Sequence, residues 1–155
     1  TAYGLKKRVK AQYGYDISME EAERFRNGYF KAYQGVLAFQ DAMLKSKEIT
    51  TLGGRCWNER TKELPPGSIA RFNYPVQGAA AEGFKESLAR LLQVMPDTWK
   101  LAAVVHDEIV LEVPDNDAKY AADTLSNCMV EGMAAIIDKV PILVDVTIAD
   151  TWLKD

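Results

Sequence analysis

Apolar and polar positions alternate along this chain with two different periods, and the switches between them outline its elements. Residues 5–12 are basic and match a short helix that stops near Gly14. Ser18-Met19-Glu20-Glu21 is a capping-box sequence, with Ser18 as N-cap and Glu21 at the third helical position. Met19, Ala22, Phe25, Tyr29, Tyr33, Val36, Leu37, Met43 and Leu44 then recur at helical spacing, which predicts one long helix over about 18–46, kinked near Gly35. An aromatic stripe at this spacing reads as core rather than as a binding surface. Residues 47–67 are irregular, with turn signals at Gly53-Gly54 and Pro65-Pro66-Gly67, and leave room for a short strand pair on either side of Asn58-Glu59. A second long helix opens at Tyr74-Pro75 and carries Val76, Ala80, Phe84, Leu88, Leu91, Leu92 and Met95 on its apolar face.

The period changes at residues 101–113, L-A-A-V-V-H-D-E-I-V-L-E-V. Two β-prone runs flank His106-Asp107-Glu108, which predicts a hairpin with a charged tip. The runs are nearly continuous in apolar residues, as in strands covered on both faces. Pro114 and Asp115-Asn116-Asp117 break the chain and cap a helix over about 117–138, whose core face includes Ala121, Leu125, Cys128, Met129 and Met133. Residues 142–148 alternate as a half-exposed strand, with Ile142, Val144, Val146 and Ile148 on one face. Trp152-Leu153 closes the chain and is expected to pack back on the domain. The order predicts an α+β fold: one small antiparallel sheet of three strands, covered by long α-helices.

Composition narrows the picture modestly. The 155 residues are one domain's worth of chain, and 48% apolar with 26% charged residues is ordinary for a globular protein. The formal net charge of −3 argues against a free-standing DNA-binding module, although Lys6-Lys7-Arg8 with Lys10 forms a local basic cluster. Arg55, Arg60 and Lys62 give the irregular loop a mild positive bias. Cys56 and Cys128 are far apart, and a single histidine makes a Cys/His zinc site improbable. This cysteine usage fits a reducing, cytoplasmic setting, and no apolar run is long enough to span a membrane.

The chemistry concentrates at the tip. An ionised carboxylate near an apolar core needs a partner, and carboxylate oxygens suit Mg²⁺ or Mn²⁺. A charged tip is also what solvent exposure alone produces. Asn73 and Gln77, four residues apart, share one helix face if the helix reaches back that far. The small residues Gly78, Ala79, Ala80 and Ala81 let another backbone or a nucleic-acid groove approach closely.

V-V-H-D-E-I-V-L-E-V-P at 104–114 resembles motif C of family A DNA polymerases. R-F-N-Y-P-V-Q-G-A-A-A-E at 71–82 is similar to the segment N-x-P-x-Q-G-x-A-A that precedes motif C in that family. Tyr3-Gly4 matches the end of motif B, Thr51-Leu52 with Gly54-Arg55 resembles a T-x-x-G-R turn, and the Trp152 tail matches the family's C-terminus. The resemblance implies a DNA-directed DNA polymerase working by a two-metal mechanism, in the cytoplasm of a bacterium or a phage-infected host. It implies that Asp107 ligates Mg²⁺ (two ions in a complete site, with Mn²⁺ as a substitute), that Glu108 assists in metal placement, and that His106 lies beside the primer terminus. Asn73 and Gln77 are then minor-groove contacts, Tyr3 lies near the templating base, and Arg55 contacts DNA.

The resemblance also implies a division into fingers-derived helices over about 1–46 and palm over about 47–155. Motif A and the start of motif B are absent, so the expected partners are primer-template DNA, a dNTP and the missing N-terminal polymerase segment, with no membrane. Thr1 falls where a split gene or an intein junction would start the chain. Alone, the chain is expected to be inactive and to expose an apolar docking surface open to self-association. Ser68-Ile69 stands where many relatives carry a Glu-Arg pair, and Cys56-Trp57 replaces a basic cluster. The alternative is a non-catalytic, truncated palm that binds DNA or a partner protein.

Overall fold

The computed structural model describes residues 1–58 and 68–152. Its contacts divide the chain into two units, residues 1–47 with Ser68, and residues 48–58 with 69–152. Glu59, Arg60, Lys62, Pro65-Pro66-Gly67 and Leu153, for which the sequence carries expectations, lie outside the described residues.

The first unit is three helices. α1 spans Ala2–Tyr13 and starts earlier than its basic pattern predicts, because the Thr1 hydroxyl accepts from the Gly4 amide at 3.1 Å. It ends as expected at Gly14, whose φ of 75° is the left-handed cap that glycine adopts without strain. The link to the next helix is pinned by Asp16, which pairs with Lys6 and Lys10 at 3.0 Å each, while the Lys6 ammonium also donates to the Ile17 carbonyl. α2 spans Met19–Ala32 and carries the complete capping box: Ser18 Oγ accepts from Glu21 N at 3.0 Å, and Glu21 Oε2 accepts from Ser18 N at 2.9 Å. α3 spans Gln34–Lys45. The single long helix is therefore two, separated at Tyr33 (φ −115°, ψ 63°), with Gly35 in the first turn of α3. The kink expected near Gly35 is thus a full break two residues earlier, and the apolar spacing runs through it unchanged. The aromatic stripe is not core: Phe25, Tyr29 and Tyr33 are exposed. Tyr29 instead packs on its neighbours Phe30 and Tyr33.

The second unit holds two hairpins and two long helices. β1 (Glu48–Thr50) and β2 (Cys56–Asn58) pair antiparallel, with Ile49 opposite Trp57. The turn between them is Thr51–Arg55 rather than Asn58-Glu59. Thr51 N donates to the Arg55 carbonyl at 2.9 Å, and the reversal uses Gly54 at φ 91°. α4 (Ala70–Val94) begins upstream of Tyr74-Pro75 and holds Pro75 inside it. Proline's φ suits a helix, but past the first turn it lacks the N–H for the i−4 carbonyl and its ring crowds that oxygen.

α4 packs against α5 (Ala118–Ala134) and a second hairpin, β3 (Lys100–Val105) with β4 (Glu108–Glu112). Leu91, Ile109 and Cys128 form the buried centre, ringed by Phe84, Leu88, Met95, Leu101, Leu111, Leu125 and Met129. The helices approach closely at Gly132, where a Cβ would lie 2.4 Å from the backbone of Ser87. The buried Ser87 hydroxyl lies 2.9 Å from the Gly83 carbonyl and 3.2 Å from that of Met129, so its polar atom is satisfied inside the crossing.

In β3–β4, Leu101 faces Leu111, Val104 faces Ile109 and Val105 faces Glu108, with an irregularity between Leu101 and Ala103. The expected cover on both faces is not complete: Ala102 and Val104 are exposed. A 3₁₀ turn at Asp115–Asp117 leads into α5, which ends at Ala134 rather than near 138. Asp117 makes no side-chain cap; its carboxylate accepts instead from Nε1 of the buried Trp99 at 3.1 Å. The predicted strand at 142–148 does not form, and Leu143, Val146 and Ile148 are exposed. Alternation predicts which side chains share a face but supplies no partner, and a strand exists only when paired. The fold is α+β, with two two-stranded antiparallel sheets among the described residues instead of one three-stranded sheet.

Candidate active site at a hairpin tip

β3 ends at Val105 and β4 begins at Glu108, so His106 and Asp107 alone make the turn. A two-residue hairpin loop requires positive φ at its first central position. His106 supplies it, at φ 57°, and is the only non-glycine residue to do so among those described. Glycine would meet that requirement without strain, and a side chain held there costs on the order of 1 kcal/mol. His106, Asp107 and Glu108 are all exposed. Glu108 has one firm partner: its Oε1 accepts from Trp152 Nε1 at 2.9 Å, which brings the end of the described chain onto the tip. Among the described residues no three His, Cys, Asp or Glu side chains converge as a metal cage. Neither cysteine is poised as a thiolate: a hydrogen bond to Glu48 raises the Cys56 pKa, and burial raises that of Cys128.

Asn73 and Gln77 lie on α4 and are both exposed. Asn73, Phe84 and Met95 are spaced by eleven residues, as are Gln77 and Leu88. Eleven residues are about three helical turns, so the two amides extend the stripe that, further along the helix, packs into the core around Leu91, Ile109 and Cys128. One face of α4 is thus apolar where it enters the core and amide-bearing where it is exposed.

Arg55 ends the Thr51–Arg55 turn, with its Nε 3.3 Å from Glu82 Oε1 on α4. Tyr3 sits on α1 in the other unit, exposed, with the Lys7 ammonium 5.0 Å from its ring centroid. Glu82 carries no assignment from the sequence, whereas Trp152, expected to pack back on the domain, does so at the tip itself. Glu82 closes the A-A-A-E run, where a lone acid beside small residues was a faint signal. Nothing in the sequence linked Trp152 to the tip.

The sequence model of DNA polymerase family A matches residues 1–154. The chain belongs to DNA polymerase family A. Within family A it is similar to DNA polymerase I of Aquifex aeolicus, at 32% identity over the whole chain and 28% of that protein. It is also similar to the thermostable DNA polymerase I of Thermus thermophilus, at 32% identity over 89% of the chain and 18% of that protein. The chain therefore spans less than a third of these relatives. Among solved structures, the POL domain of Pol1 from M. smegmatis, in complex with DNA primer-template and dNTP, superposes with a TM-score of 0.68. That match covers 85% of this chain and 24% of the other at 24% identity, and it supports the fold. No helix of the described residues is long and apolar enough to cross a membrane.

Proposed function

We propose that the chain supplies the motif C half of the active site of a DNA-directed DNA polymerase. Residues 1–47 serve as its fingers-derived part and the second unit as palm. The observation that carries this reading is an acidic, exposed, strained hairpin tip, His106-Asp107-Glu108, within a chain that the family matches nearly end to end.

The tip's donor set fits hard divalent cations. Asp107 offers a carboxylate, and Glu108 retains Oε2 while Oε1 accepts from Trp152. These two residues would hold Mg²⁺, with Mn²⁺ as a substitute. When bound, two such ions supply activation of the primer 3′-hydroxyl and charge stabilisation of the leaving pyrophosphate. The remaining ligands belong to a polymerase segment outside this chain, in cis or in trans. His106 borders the primer terminus and touches its backbone. The Asn73 and Gln77 amides donate to minor-groove acceptors, which are nearly the same for every base pair and so report pair geometry rather than sequence. Arg55 binds a backbone phosphate, and Tyr3 lies by the templating base that selects the dNTP.

Templated primer extension tests the reading. The isolated chain with Mg²⁺ is expected to be inactive, and addition of a segment carrying motif A and the rest of motif B to restore synthesis. In that assembly Asp107→Ala should lower incorporation by more than about 100-fold with the circular-dichroism spectrum unchanged. Near-wild-type synthesis by Asp107→Ala would refute the ligand role. Salt-dependent DNA binding without incorporation in any combination would make the chain a non-catalytic binding module instead.

A further inference from the structure

Glu82 carries a carboxylate that the chemistry above does not use. Its side chain is only 11% exposed, and an ionised carboxylate in such a place needs partners. Among the described residues its three partners come from one five-residue turn. Thr51 Oγ1 donates to Oε1 at 2.8 Å, Gly53 N donates to Oε2 at 3.1 Å, and Arg55 Nε lies 3.3 Å from Oε1. The Thr51 hydroxyl also accepts from Arg55 N at 3.0 Å, so the turn closes on the same atom that grips Glu82. The fit is steric as well as polar. A Cβ at Gly53 would lie 2.4 Å from Glu82 Oε2, and one at Gly78 would lie 2.4 Å from Thr51 Cγ2. A second anchor sits eight residues back on α4, where Trp57 packs on Tyr74 with ring centroids 4.2 Å apart. The two anchors lie about 12 Å apart along the helix, enough to fix the direction of the hairpin and not merely its position.

A clamp built only to hold the turn needs Thr51 and Gly53. The third contact goes to Arg55, whose side chain is 51% exposed. A carboxylate at Nε fixes the plane of a guanidinium and leaves its two terminal nitrogens for another anion. We propose that Glu82 is a positioning residue that orients Arg55, through the Thr51–Arg55 turn, for contact with a backbone phosphate of duplex DNA. The proposal rests on the reading that the chain engages primer-template. Glu82 lowers the long-range attraction of Arg55 for DNA, since it offsets one positive charge, and in return presents the guanidinium in one orientation.

The test is primer-template binding by the reconstituted polymerase, measured by fluorescence anisotropy across a salt series, with thermal unfolding alongside. Loss of one phosphate contact reduces the salt slope by about 0.9. Arg55→Gln should show that loss and weaken binding by about fivefold. Glu82→Gln should do the same, and the double variant should be no weaker than either single one. Arg55→Lys, a surface change that keeps the charge and removes the fork, should weaken binding as Arg55→Gln does while retaining more of the salt slope. Wild-type affinity and slope in Glu82→Gln, whatever its unfolding temperature, would overturn the proposal. So would wild-type binding by Arg55→Lys, which also decides the matter if Glu82→Gln does not fold. Failure of the wild-type assembly to bind primer-template would overturn the polymerase reading itself, a result no Glu82 variant can mimic.

Discussion

Residues 1–47 and the hairpin-bearing unit hold their shapes by different means. In the first, α1 and α2 start at side chains three positions away from the amides they cap, and Asp16 ties the link by reaching back to Lys6 and Lys10. Ala22 is the only buried residue in it. In the second, the decisive contacts join distant positions: Ser87 with Met129, Thr51 with Glu82, and Leu91 with Ile109 and Cys128. Short helices gain little from propensity alone and depend on caps and packing, so the first unit leans on its caps. The second has a core, and it is this unit that carries the acidic tip and the amide-bearing stretch of α4.

Three perturbations break or sharpen that contrast. Leu91→Ala removes the centre of the core and should cost about 2–5 kcal/mol. Hydrogen exchange should then show α4, α5 and β3–β4 losing protection while α1 and α2 keep theirs; equal loss in both units would mean that they unfold as one. Ser18→Ala should cost about 0.5–2 kcal/mol, read as faster exchange in the first turn of α2, with the second unit unchanged. If it also loosened α4, the caps would not be local in effect.

Acid has the smallest effect. Hydrogen bonds from Lys6 and Lys10 lower the Asp16 pKa, and the bond from the Ser18 amide lowers that of Glu21. Lowered folded values mean that both groups stabilise at neutral pH. That stabilisation is complete above the ordinary carboxylate range, about pH 4–5, and is lost as pH falls through the lowered values. Helical circular dichroism should decline there, and the combined Asp16→Asn, Glu21→Gln variant should flatten the decline; an unchanged profile would exclude these two groups as its source.

The same contrast decides what could be read in advance. Ser18, Glu21 and Gly14 act on their immediate neighbours, so α1 and α2 were visible from residue type. The 101–113 hairpin was visible because its apolar runs and charged tip are contiguous. Asn73 and Gln77 could be assigned to one helix face by spacing, although α4 begins earlier than Pro75 suggested. The kink expected near Gly35 is a full break at Tyr33, and that difference rests on a backbone dihedral that residue type does not announce. The strand at 142–148 was overpredicted because alternation carries no information about a pairing edge. Glu82 goes unassigned, and Trp152 is expected on the domain but not at Glu108, because their partners lie 31 and 44 residues away and only the folded chain brings them together.

The bond between Trp152 and Glu108 gives the tip an optical reporter. Indole emission responds to what its N–H donates to and to nearby charge. Trp57 and Trp99 are engaged elsewhere, on Tyr74 and Asp117. Anything that draws the Glu108 carboxylate away from Nε1 changes the surroundings of Trp152 and leaves those two indoles where they are. Events at the acidic tip can thus be followed by intrinsic fluorescence, with no label attached to the surface where DNA is proposed to lie.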